Sequence, residues 1–370
     1  MKIGIEGLSL NEPLEGAGRY LSCLAEHLRA AGPGNEYVLL LRKPLDAPKL
    51  QALAGVKTKV LGMTWPRSRW LWANLRLPFG LAGENFDLLH FPFYMAPLSV
   101  RRGFVVTVHD VAFEAHPEWF GAKARFAFRA FSRGSAERAG AVITVSEFSK
   151  KEIIKYFGIP EKKVFVTYPG VSGDFSPGAK RAGGTDGGAL ERHGINRPYI
   201  LCVGDISRRK NAVTLLNAFK ELRKKHDVQM VIVGRTLPPH PPAGGIIEAL
   251  GLAGRVVSAE KVPDADLVEL YRSAACYASA SLYEGFGIPA IEALACGTPV
   301  VLSDIEVYRE VCGDAGTYVN PGDAGSIAEG LAAALSGSAE ITRRAGYGVE
   351  RAKKYSCLET ARKTLEIYER

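Results

Sequence analysis

The sequence contains little that marks a specialised class of protein. Its six cysteines are scattered and form no C-x-x-C pair, which favours buried, reduced thiols in a cytoplasmic protein. No apolar run approaches the roughly 18 residues of a membrane-spanning helix, and residues 1–7 predict a strand with an acidic residue rather than a signal peptide. Histidine, cysteine and aspartate do not cluster at the spacing of metal ligands. We therefore expect no transmembrane segment, no metal and no other cofactor.

Internal repeats and long low-complexity tracts are also absent, so the composition is that of an ordinary globular protein. The chain has 370 residues, of which 47% are apolar and 23% are charged. That length and apolar content suffice for two domains, each with a full core.

Strand-like and helix-like runs alternate in two series along the chain, which predicts doubly wound parallel sheets. A stretch rich in glycine, serine and charge, residues 172–198, separates the series and predicts an interdomain linker. We expect an α/β protein with two Rossmann-like domains, 1–171 and 172–356, facing each other across a cleft. Residues 357–370 predict a terminal helix. The predicted strands are 2–6, 37–41, 59–61, 87–91, 104–109, 141–145, 164–166, 199–203, 229–233, 256–258, 275–278 and 300–303.

The positive charge is concentrated in the first half of the chain. Residues 1–170 contain 23 Lys and Arg against 15 Asp and Glu, whereas residues 171–370 contain 24 of each kind. The whole net charge of +8 therefore lies in the first half. This asymmetry predicts an anionic partner there, such as an acidic lipid, a lipid diphosphate acceptor or a nucleic acid.

The most informative segment is residues 283–301, YEGFGIPAIEALACGTPVV. Residues 285–287 predict a turn through which the backbone approaches a ligand closely. Pro289 suits the start of a helix and Gly297 suits its end. Glu284 would then precede the helix and Glu292 would lie within it, on either side of backbone N–H groups and the positive end of the helix dipole. Two carboxylates beside an anion site predict a ligand with hydroxyls and phosphates, such as a nucleotide sugar.

The same segment resembles the Glu-x7-Glu motif of the retaining glycosyltransferases of family 4, which have the GT-B fold. The resemblance runs from residue 3 to about residue 370 and includes five further motifs in the family's order. It implies two Rossmann-like domains, and a C-terminal helix that returns to the first of them. The five motifs are residues 16–20 (GAGRY), 106–110 (VTVHD), 145–150 (VSEFSK), 166–171 (VTYPGV) and 203–211 (VGDISRRKN).

The resemblance implies a role for each matching residue. Lys210 would hold the diphosphate, where a charge-assisted hydrogen bond contributes about 1.5–3 kcal/mol. Glu292 would bind the ribose hydroxyls, and Glu284 would meet the sugar hydroxyls or stabilise positive charge at the anomeric carbon. Glu284, Lys210 and His109 are the predicted catalytic residues. The predicted donor-binding residues are Gly16, Gly18, Arg209, Lys210, Glu284, Gly285, Phe286, Gly287, Ile288 and Glu292.

Alternatives to these roles remain open on the residues alone. The basic loop could be merely solvated, and Glu292 could cap its helix or pair on the helix surface. The chain also departs from the family at Asp205, where many members carry arginine, so Arg208 or Arg209 would take that place.

Two motifs of the first half also leave alternatives. Gly16 and Gly18 follow the first strand after a nine-residue excursion, and Leu21 stands where a dinucleotide fingerprint has its third glycine, so NAD binding is not expected. The backbone amides of the two glycines would approach the donor phosphate or the acceptor. Alternatively, the two glycines form a plain turn before a helix. His109 would contact the donor sugar and the reacting hydroxyl, unless it is structural. Asp110 would orient that ring or the acceptor.

Two polar motifs have simpler explanations. Residues 264–266, Asp-Ala-Asp, have the form of the D-x-D metal motif of another glycosyltransferase fold, but they follow Pro263 and open a helical run. We interpret this aspartate pattern as a helix N-cap. Ser146 likewise predicts a cap before the helix at 148–157.

Basic and aromatic side chains alternate in two runs of the first half, and such faces contact anionic membranes. The alternative, in which the rings enter the core and the arginines stay solvated, is equally open. The runs are Trp65, Arg67, Arg69, Trp70, Trp72 and Arg76, followed by residues 123–129.

The sequence therefore predicts a cytoplasmic retaining hexosyltransferase, peripheral on the membrane, that uses a nucleoside diphosphate sugar and a sugar or lipid-linked acceptor in polysaccharide or lipopolysaccharide assembly. The first domain would bind the acceptor and the second the donor. The R-K-N loop and the V-H-D strand are similar to those of mannosyltransferases, so GDP-mannose is the expected donor, with UDP-glucose next. The alternatives are a non-catalytic nucleotide-sugar-binding protein and a nucleic-acid binder, although no recognition motif supports nucleic acid.

Overall fold

The computed structural model describes residues 1–11, 16–46, 51–53, 55–62, 69–101, 103–178, 188–196, 198–237 and 243–370, without the side chains of residues 69 and 70. These residues form two compact units. The first unit consists of residues 1–170 and 355–370, and the second consists of residues 171–354. Across the described ranges, none of the helices combines the length and the hydropathy needed to cross a bilayer.

The first unit is built on a parallel sheet of seven strands. Its strands are β1 (Lys2–Glu6), β2 (Glu36–Leu41), β3 (Lys57–Val60), β4 (Leu88–Phe91), β5 (Phe104–Thr107), β6 (Ala141–Thr144) and β7 (Val164–Val166). They lie in the order β3-β2-β1-β4-β5-β6-β7. β5 and β6 are buried along their whole length, as expected of parallel strands covered on both faces. The helices before residue 170 are α1 (Gly16–Ala31), α2 (Arg69–Leu75), α3 (Leu77–Leu81), α4 (Ala112–Ala115), α5 (Ala122–Arg138) and α6 (Glu147–Phe157).

The second unit repeats this plan on six parallel strands, in the order β10-β9-β8-β11-β12-β13. The strands are β8 (Tyr199–Val203), β9 (Gln229–Val233), β10 (Val256–Ala259), β11 (Cys276–Ser279), β12 (Val300–Ser303) and β13 (Gly316–Val319). Its helices are α7 (Ala189–Arg192), α8 (Ala212–Leu222), α9 (Ala243–Ala249), α10 (Asp264–Ser273), α11 (Ile288–Ala295), α12 (Glu306–Cys312), α13 (Ala324–Leu335) and α14 (Ala339–Ala352).

Every strand that the sequence predicts is present within about two residues of its predicted bounds. β5 ends at Thr107, so His109 stands two residues beyond the strand rather than at its end. β13 was not predicted, because this four-residue edge strand begins with glycine and threonine and has no apolar run.

The described residues of the predicted linker, 172–178, 188–196 and 198, belong to the second unit and pack within it, which corrects that prediction for this part of the segment. Phe175 is buried, and its ring contacts Tyr271 with the centroids 5.8 Å apart. Arg272 donates a hydrogen bond to the carbonyl oxygen of Ser176 at 2.7 Å, and Ile195 is also buried. A few apolar side chains spaced along a polar stretch are enough to hold it against a domain, and composition alone does not reveal this.

The terminal helix is confirmed as α15 (Cys357–Tyr368), and it belongs to the first unit. Ser356 caps it, accepting a hydrogen bond from the N–H of Glu359 at 3.1 Å. The Thr360 hydroxyl donates to the carbonyl oxygen of Tyr168 at 2.8 Å. The helix therefore ties the end of the chain to the segment at which the first unit ends.

A disulfide between Cys23 and Cys357 joins α1 to α15. This corrects the expectation that the cysteines are reduced. The two residues are 334 positions apart in sequence, so no local spacing pattern marks the pair. The other four cysteines, at 202, 276, 296 and 312, are buried thiols, as predicted.

In the first basic and aromatic run, the side chains that the structure describes are those of Trp72 and Arg76. Trp72 is fully buried, and the guanidinium carbon of Arg42 lies 5.9 Å from the centre of its ring. Trp65 and Arg67 lie outside the described residues. In the second run Phe126 is 72% exposed on α5. For Trp72 the core interpretation is therefore confirmed, whereas the ring of Phe126 in the second run stays exposed.

A buried histidine connects α15 to the sheet. His90, on β4, has no exposed surface. Its Nδ1 lies 2.7 Å from the hydroxyl of Tyr368, and its Nε2 lies 2.8 Å from the hydroxyl of Thr107. The pKa of His90 is lowered to about 3, mainly by burial and to a smaller extent by the charge of the neighbouring His109. The ring therefore stays neutral in the folded protein over the whole physiological range.

We predict that His90 makes the first unit less stable in mild acid. The unfolded chain takes up a proton on this ring near pH 6.5, whereas the folded chain does so only near pH 3. Between these values the unfolded state binds more protons, so stability falls as the pH falls. From pH 7 to pH 5 the free energy of unfolding should drop by about 2 kcal/mol through this group. Urea unfolding of the wild type and of His90→Gln at both pH values measures the effect. An equal pH dependence in the two proteins would contradict it.

Candidate functional site

The sheet of the second unit has a switch point between β8 and β11. These strands are neighbours, but the chain continues from β8 to β9 on one side and from β11 to β12 on the other. The loops that follow them, residues 204–211 and 280–287, therefore diverge at the carboxyl edge of the sheet. Open α/β sheets bind ligands at such a point.

The loop after β8 is held by its last residue. Asn211 has a positive φ of 54°, which is uncommon outside glycine. Its side-chain amide donates to the carbonyl oxygen of Pro321 at 2.7 Å, and its side-chain oxygen accepts from the hydroxyl of Thr214 at 2.6 Å. These bonds compensate the backbone strain and fix the direction of Arg209 and Lys210 just before α8.

Two glycines at the ends of neighbouring strands make room for Lys210. A Cβ on Gly204 would lie 3.2 Å from the Lys210 Cε, and a Cβ on Gly234 would lie 2.2 Å from the carbonyl oxygen of Gly204. Both glycines have positive φ, of 141° and 155°. The backbones after β8 and β9 therefore touch, and the lysine side chain packs directly on this contact.

Asp205 fastens the end of β9. Its carboxylate accepts from the backbone N–H of Arg235 at 3.0 Å and lies 3.4 Å from the Arg235 guanidinium. The position at which the resemblance leads one to expect arginine is thus occupied by an aspartate with a structural partner. Arg209, four residues later, brings a guanidinium to the site instead.

The centre of the site is an ion cluster, in which the buried Glu284 contacts the partly exposed side chains of Arg209 and Lys210. Glu284 is only 5% exposed. Its Oε1 lies 2.5 Å from the Lys210 Nζ, and its Oε2 lies 3.1 Å from the Arg209 guanidinium. Burial acts to raise the pKa of Glu284, but the charges of Lys210 and Arg209 outweigh it and hold that pKa below its ordinary value. Glu284 is therefore ionised, and the cluster has a net charge of about +1.

The two loops are also joined through their backbones. The N–H of Leu282 donates to the carbonyl oxygen of Arg209 at 2.8 Å. Arg209 and Glu284 are 75 positions apart in sequence. The contact between these two side chains confirms that the basic loop is not merely solvated. The ligand of the loop stays a prediction.

Gly287 turns the chain from this cluster into α11. It is the residue before the helix and has a φ of 96°. A Cβ at this position would lie 2.6 Å from the ring of Tyr308. The predicted turn over residues 285–287 is therefore required both by the backbone conformation and by the ring that packs against it. The helix begins four residues after Glu284, so its positive end opens beside the cluster.

The end of α11 follows the predicted pattern. Gly297 has a φ of 75°, and its N–H donates to the carbonyl oxygen of Leu294 at 3.0 Å. The N–H of Thr298 donates to the carbonyl oxygen of Ala293 at 3.0 Å. These two bonds form the glycine-terminated cap that the sequence indicates.

Glu292 lies inside the unit and not on the helix surface, so that alternative is wrong. It is 2% exposed, and its Oε2 accepts a hydrogen bond from the Tyr271 hydroxyl at 2.9 Å. Tyr271 is itself held, because its carbonyl oxygen accepts from the Thr298 hydroxyl at 2.6 Å. The structure therefore fixes Glu292 through a tyrosine that the sequence analysis did not single out.

His109 lies in the first unit. One ring nitrogen, Nε2, is 2.9 Å from the carbonyl oxygen of Pro92, and the ring meets Tyr20 edge-on with the centroids 5.2 Å apart. Its own carbonyl oxygen accepts from the Ser149 hydroxyl at 3.0 Å. The carboxylate of Asp110 accepts from the N–H of Ala112 at 3.0 Å, which starts α4.

The predicted glycine loop is part of a helix, which corrects that prediction. Gly16 and Gly18 lie in the first turn of α1. Neither has a positive φ. The buried stripe of α1, which includes Tyr20, Leu21 and Leu24, holds this turn in helical form. If Gly16 and Gly18 contact a ligand as predicted, they would do so from the N-terminus of a helix.

The aspartates of residues 264–266 are not the helix cap. Pro263 occupies that position, and Asp264 is the first helical residue. Asp266 lies 2.6 Å from the Arg192 guanidinium and 3.2 Å from the ring of His193, so it joins α10 to α7. The Ser146 cap is confirmed, since its hydroxyl oxygen accepts from the N–H of Ser149 at 2.9 Å. Within the described ranges, no three His, Cys, Asp or Glu side chains are grouped to hold a metal ion.

The chain matches two family models that between them span most of its length. Residues 14–175 match the model for glycosyltransferase family 4, and residues 190–351 match the model for glycosyl transferases group 1.

Curated relatives with similar sequences include two enzymes named for O-antigen assembly. An O-antigen chain mannosyltransferase of Escherichia coli is 28% identical over 285 residues, which cover 76% of this chain and 74% of the relative. An O-antigen chain mannosyltransferase of Salmonella typhimurium is 30% identical over 257 residues, which cover 69% of this chain and 66% of the relative.

Solved structures with a similar fold cover the whole chain. Sucrose-phosphate synthase of Thermosynechococcus elongatus has a TM-score of 0.79 at 19% identity, over 100% of this chain and 98% of that one. The Anabaena protein HepE, solved with UDP-glucose, has a TM-score of 0.76 at 20% identity, over 100% and 99% of the two chains. The predicted two-domain α/β fold is confirmed.

We predict that Gly287→Ala destabilises the second unit more than an alanine at another glycine with positive φ. Gly337 is the matched control, with a φ of 61° and no atom within 4 Å of the place that a Cβ would take. Gly337→Ala should lower the free energy of unfolding by about 1–2 kcal/mol through backbone strain alone. Gly287→Ala should lose about 1–3 kcal/mol more through overlap with Tyr308. Urea unfolding of both variants measures the difference, and equal losses would contradict the packing of that ring on the turn.

Proposed function

Because the chain belongs to the family 4 glycosyltransferases, we propose that it transfers mannose from GDP-mannose to a sugar or lipid-linked acceptor in the assembly of a cell-surface polysaccharide. The observation that carries this proposal is the ion cluster of Arg209, Lys210 and Glu284 at the switch point of the second sheet. Its net positive charge and the adjacent helix N-terminus suit a diphosphate. The names of the two O-antigen mannosyltransferases support mannose as the transferred sugar.

In this proposal each site residue has a separate task. The diphosphate lies against Lys210 and the first turn of α11, and Arg209 shares its charge. Glu292, held by Tyr271, accepts hydrogen bonds from the ribose hydroxyls. Glu284 keeps both cations in place and faces the sugar. His109, Gly16 and Gly18, on the first unit, are proposed to contact the donor or the acceptor.

We further propose that the transfer retains the anomeric configuration. A double displacement needs a carboxylate that attacks the anomeric carbon, but the two oxygens of Glu284 are already engaged by Lys210 and Arg209. A same-face reaction fits this arrangement better. The bond between the anomeric carbon and the phosphate oxygen breaks, the acceptor oxygen binds that carbon from the same side, and the leaving phosphate takes the acceptor proton. Lys210 stabilises the charge on that phosphate.

The first unit carries exposed apolar side chains that support a peripheral contact with an anionic membrane. Phe126 is 72% exposed on α5 and Phe79 is 74% exposed on α3. Lys123 lies three residues before Phe126 and Arg129 three residues after it, so both share its helical face. We propose that this face of α5 lies on the bilayer that supplies a lipid-linked acceptor.

Loss of the Lys210 cation or of the Glu292 carboxylate should weaken the use of the donor. We predict that Lys210→Ala and Glu292→Ala each lower kcat/KM for GDP-mannose about ten- to thousandfold. Lys220→Ala, on the exposed side of α8, is the control and should retain wild-type activity. The assay follows GDP release and, by NMR, the anomeric proton of the product, which should keep the donor's configuration. Wild-type turnover by Lys210→Ala would remove its assigned role, and an inverted product would overturn the same-face reaction.

Loss of the exposed ring should weaken membrane binding. We predict that Phe126→Ser lowers the partition onto vesicles of phosphatidylglycerol about tenfold, because one buried aromatic side chain contributes about 1.5–3 kcal/mol. Added salt should lower the partition of the wild type as well. Tyr347→Ser, which removes a 39% exposed ring from the second unit, is the control for co-sedimentation. An equal partition of Phe126→Ser and the wild type would contradict this contact.

A further inference from the structure

Two residues other than glycine have a positive φ in the part of the chain that the structure describes. Asn211, with a φ of 54°, lies just before α8 in the basic loop of the second unit. Tyr94, with a φ of 60°, lies in the loop after β4 of the first unit. A bulky side chain makes this conformation unfavourable, so it persists only where the surroundings impose it, and such positions are common at functional sites.

The loop after β4 is held in this conformation by two backbone hydrogen bonds. The N–H of Tyr94 donates to the carbonyl oxygen of Thr107, the last residue of β5, at 2.8 Å. The N–H of Met95 donates to the carbonyl oxygen of Phe93 at 2.7 Å, which closes a γ-turn centred on Tyr94. With a positive φ at its centre, this is the rare and strained form of the turn. The two bonds therefore fix the Tyr94 backbone against the end of β5.

The same loop holds the imidazole of His109. The ring of Tyr94 meets this imidazole edge-on with the centroids 5.8 Å apart, and the ring of Phe93 lies at 6.2 Å. The carbonyl oxygen of Pro92 lies 2.9 Å from the His109 Nε2. Three consecutive residues, 92–94, thus contact one imidazole.

The ring of Tyr94 is in turn supported by the core of the first unit. Tyr94 is 9% exposed, and its ring contacts those of Phe113 and Phe128 with the centroids 6.1 Å and 5.7 Å apart. Closely packed rings leave little room for movement. The edge of Tyr94 that meets His109 therefore has a fixed position.

The Pro92 carbonyl determines which nitrogen of His109 carries the proton. A carbonyl oxygen only accepts hydrogen bonds, so Nε2 must be the N–H donor. In the neutral ring, Nδ1 then has the lone pair and can accept a hydrogen bond from a sugar hydroxyl. His109 is half-buried, so its side chain is reachable from solvent.

We propose that Tyr94 is a positioning residue for His109. The strained turn sets the Tyr94 ring against the imidazole, which keeps Nε2 on the Pro92 carbonyl and presents Nδ1 to a hydroxyl of the bound sugar. The inference rests on the proposed function, in which His109 contacts the donor or the acceptor. It adds a residue that lies outside all six sequence motifs and acts through another side chain rather than on the substrate.

The tautomer of His109 gives a readout that a general loss of packing would not change. Nitrogen NMR of protein labelled with ¹⁵N-histidine distinguishes the two neutral tautomers at pH 8, where an ordinary histidine is uncharged. His109→Gln assigns the signal. The wild type should have Nε2 protonated. Tyr94→Leu removes the ring and should give a mixture of tautomers, whereas Tyr94→Phe keeps the ring and should keep the wild-type spectrum.

The same variants should differ in turnover. Tyr94→Leu should lower the kcat of GDP release from GDP-mannose about ten- to hundredfold, because small misplacements of site residues have effects of that order. Its affinity for GDP, measured by isothermal titration, should equal that of the wild type, since the proposed nucleotide site lies in the second unit. Tyr94→Phe should keep the wild-type kcat.

Phe157→Leu is the matched control. Phe157 is buried in the same apolar core as Tyr94, so this substitution also removes a packed ring. It should lower the free energy of unfolding but leave the His109 tautomer and the kcat unchanged.

The outcomes separate the two proposals. The positioning role is overturned if the wild type has Nδ1 protonated, if Tyr94→Leu keeps the wild-type tautomer or kcat, or if Phe157→Leu changes both as much. If the wild type neither binds GDP nor releases it from GDP-mannose, the proposed function fails, and the NMR signal still decides whether Tyr94 sets the ring. Should thermal unfolding show that Tyr94→Leu does not fold, Tyr94→Asn takes its place, because asparagine tolerates a positive φ.

Discussion

The site of the second unit depends on one carboxylate that is removed from water between two cations. Glu284 is 5% exposed, and an unpaired charge at such a position would cost several kcal/mol. Arg209 and Lys210 must therefore remain close to it, and the loops that carry them must keep their conformations. Asn211 and the bond between Leu282 and Arg209 serve this requirement. Without the carboxylate, the two neighbouring cations would repel each other.

The cluster also organises what surrounds it. On one side lies the N-terminus of α11, with Glu292 fixed by Tyr271. Next to Lys210, the backbones at Gly204 and Gly234 touch, and the lysine side chain packs on them. The cluster and Glu292 thus lie together at the carboxyl edge of a single sheet, where groups suited to phosphates and to hydroxyls are close to one another. The cluster keeps a net charge of about +1, which suits the diphosphate of the proposed donor.

Local patterns in the sequence predicted the elements with local causes. The turn at Gly287, the end of α11 at Gly297 and the cap at Ser146 each depend on neighbouring residues, and all three are present. The parallel sheets were predicted from the alternation of strand-like and helix-like runs, which is also a local pattern. The family resemblance added the partnership of the basic loop with the Glu-x7-Glu segment, which no local pattern contains.

The features that sequence analysis missed depend on long-range contacts. The disulfide joins residues 334 positions apart, and Asp205 is explained only by Arg235 on the next strand. The start of the predicted linker packs against the second unit because the ring of Phe175 contacts that of Tyr271. The ring of Tyr308 leaves no room for a side chain at position 287, but nothing in the sequence around Tyr308 indicates this contact. In each case, the partner is fixed by the tertiary structure rather than by spacing along the chain.

A crystal structure of the protein with bound GDP tests the central claim most directly. The account predicts phosphate oxygens within hydrogen-bonding distance of the Lys210 ammonium group and at the start of α11, with the ribose hydroxyls on Glu292. A nucleotide bound away from the β8–β11 switch point, or a Lys210 side chain turned away from the phosphates toward solvent, would contradict it.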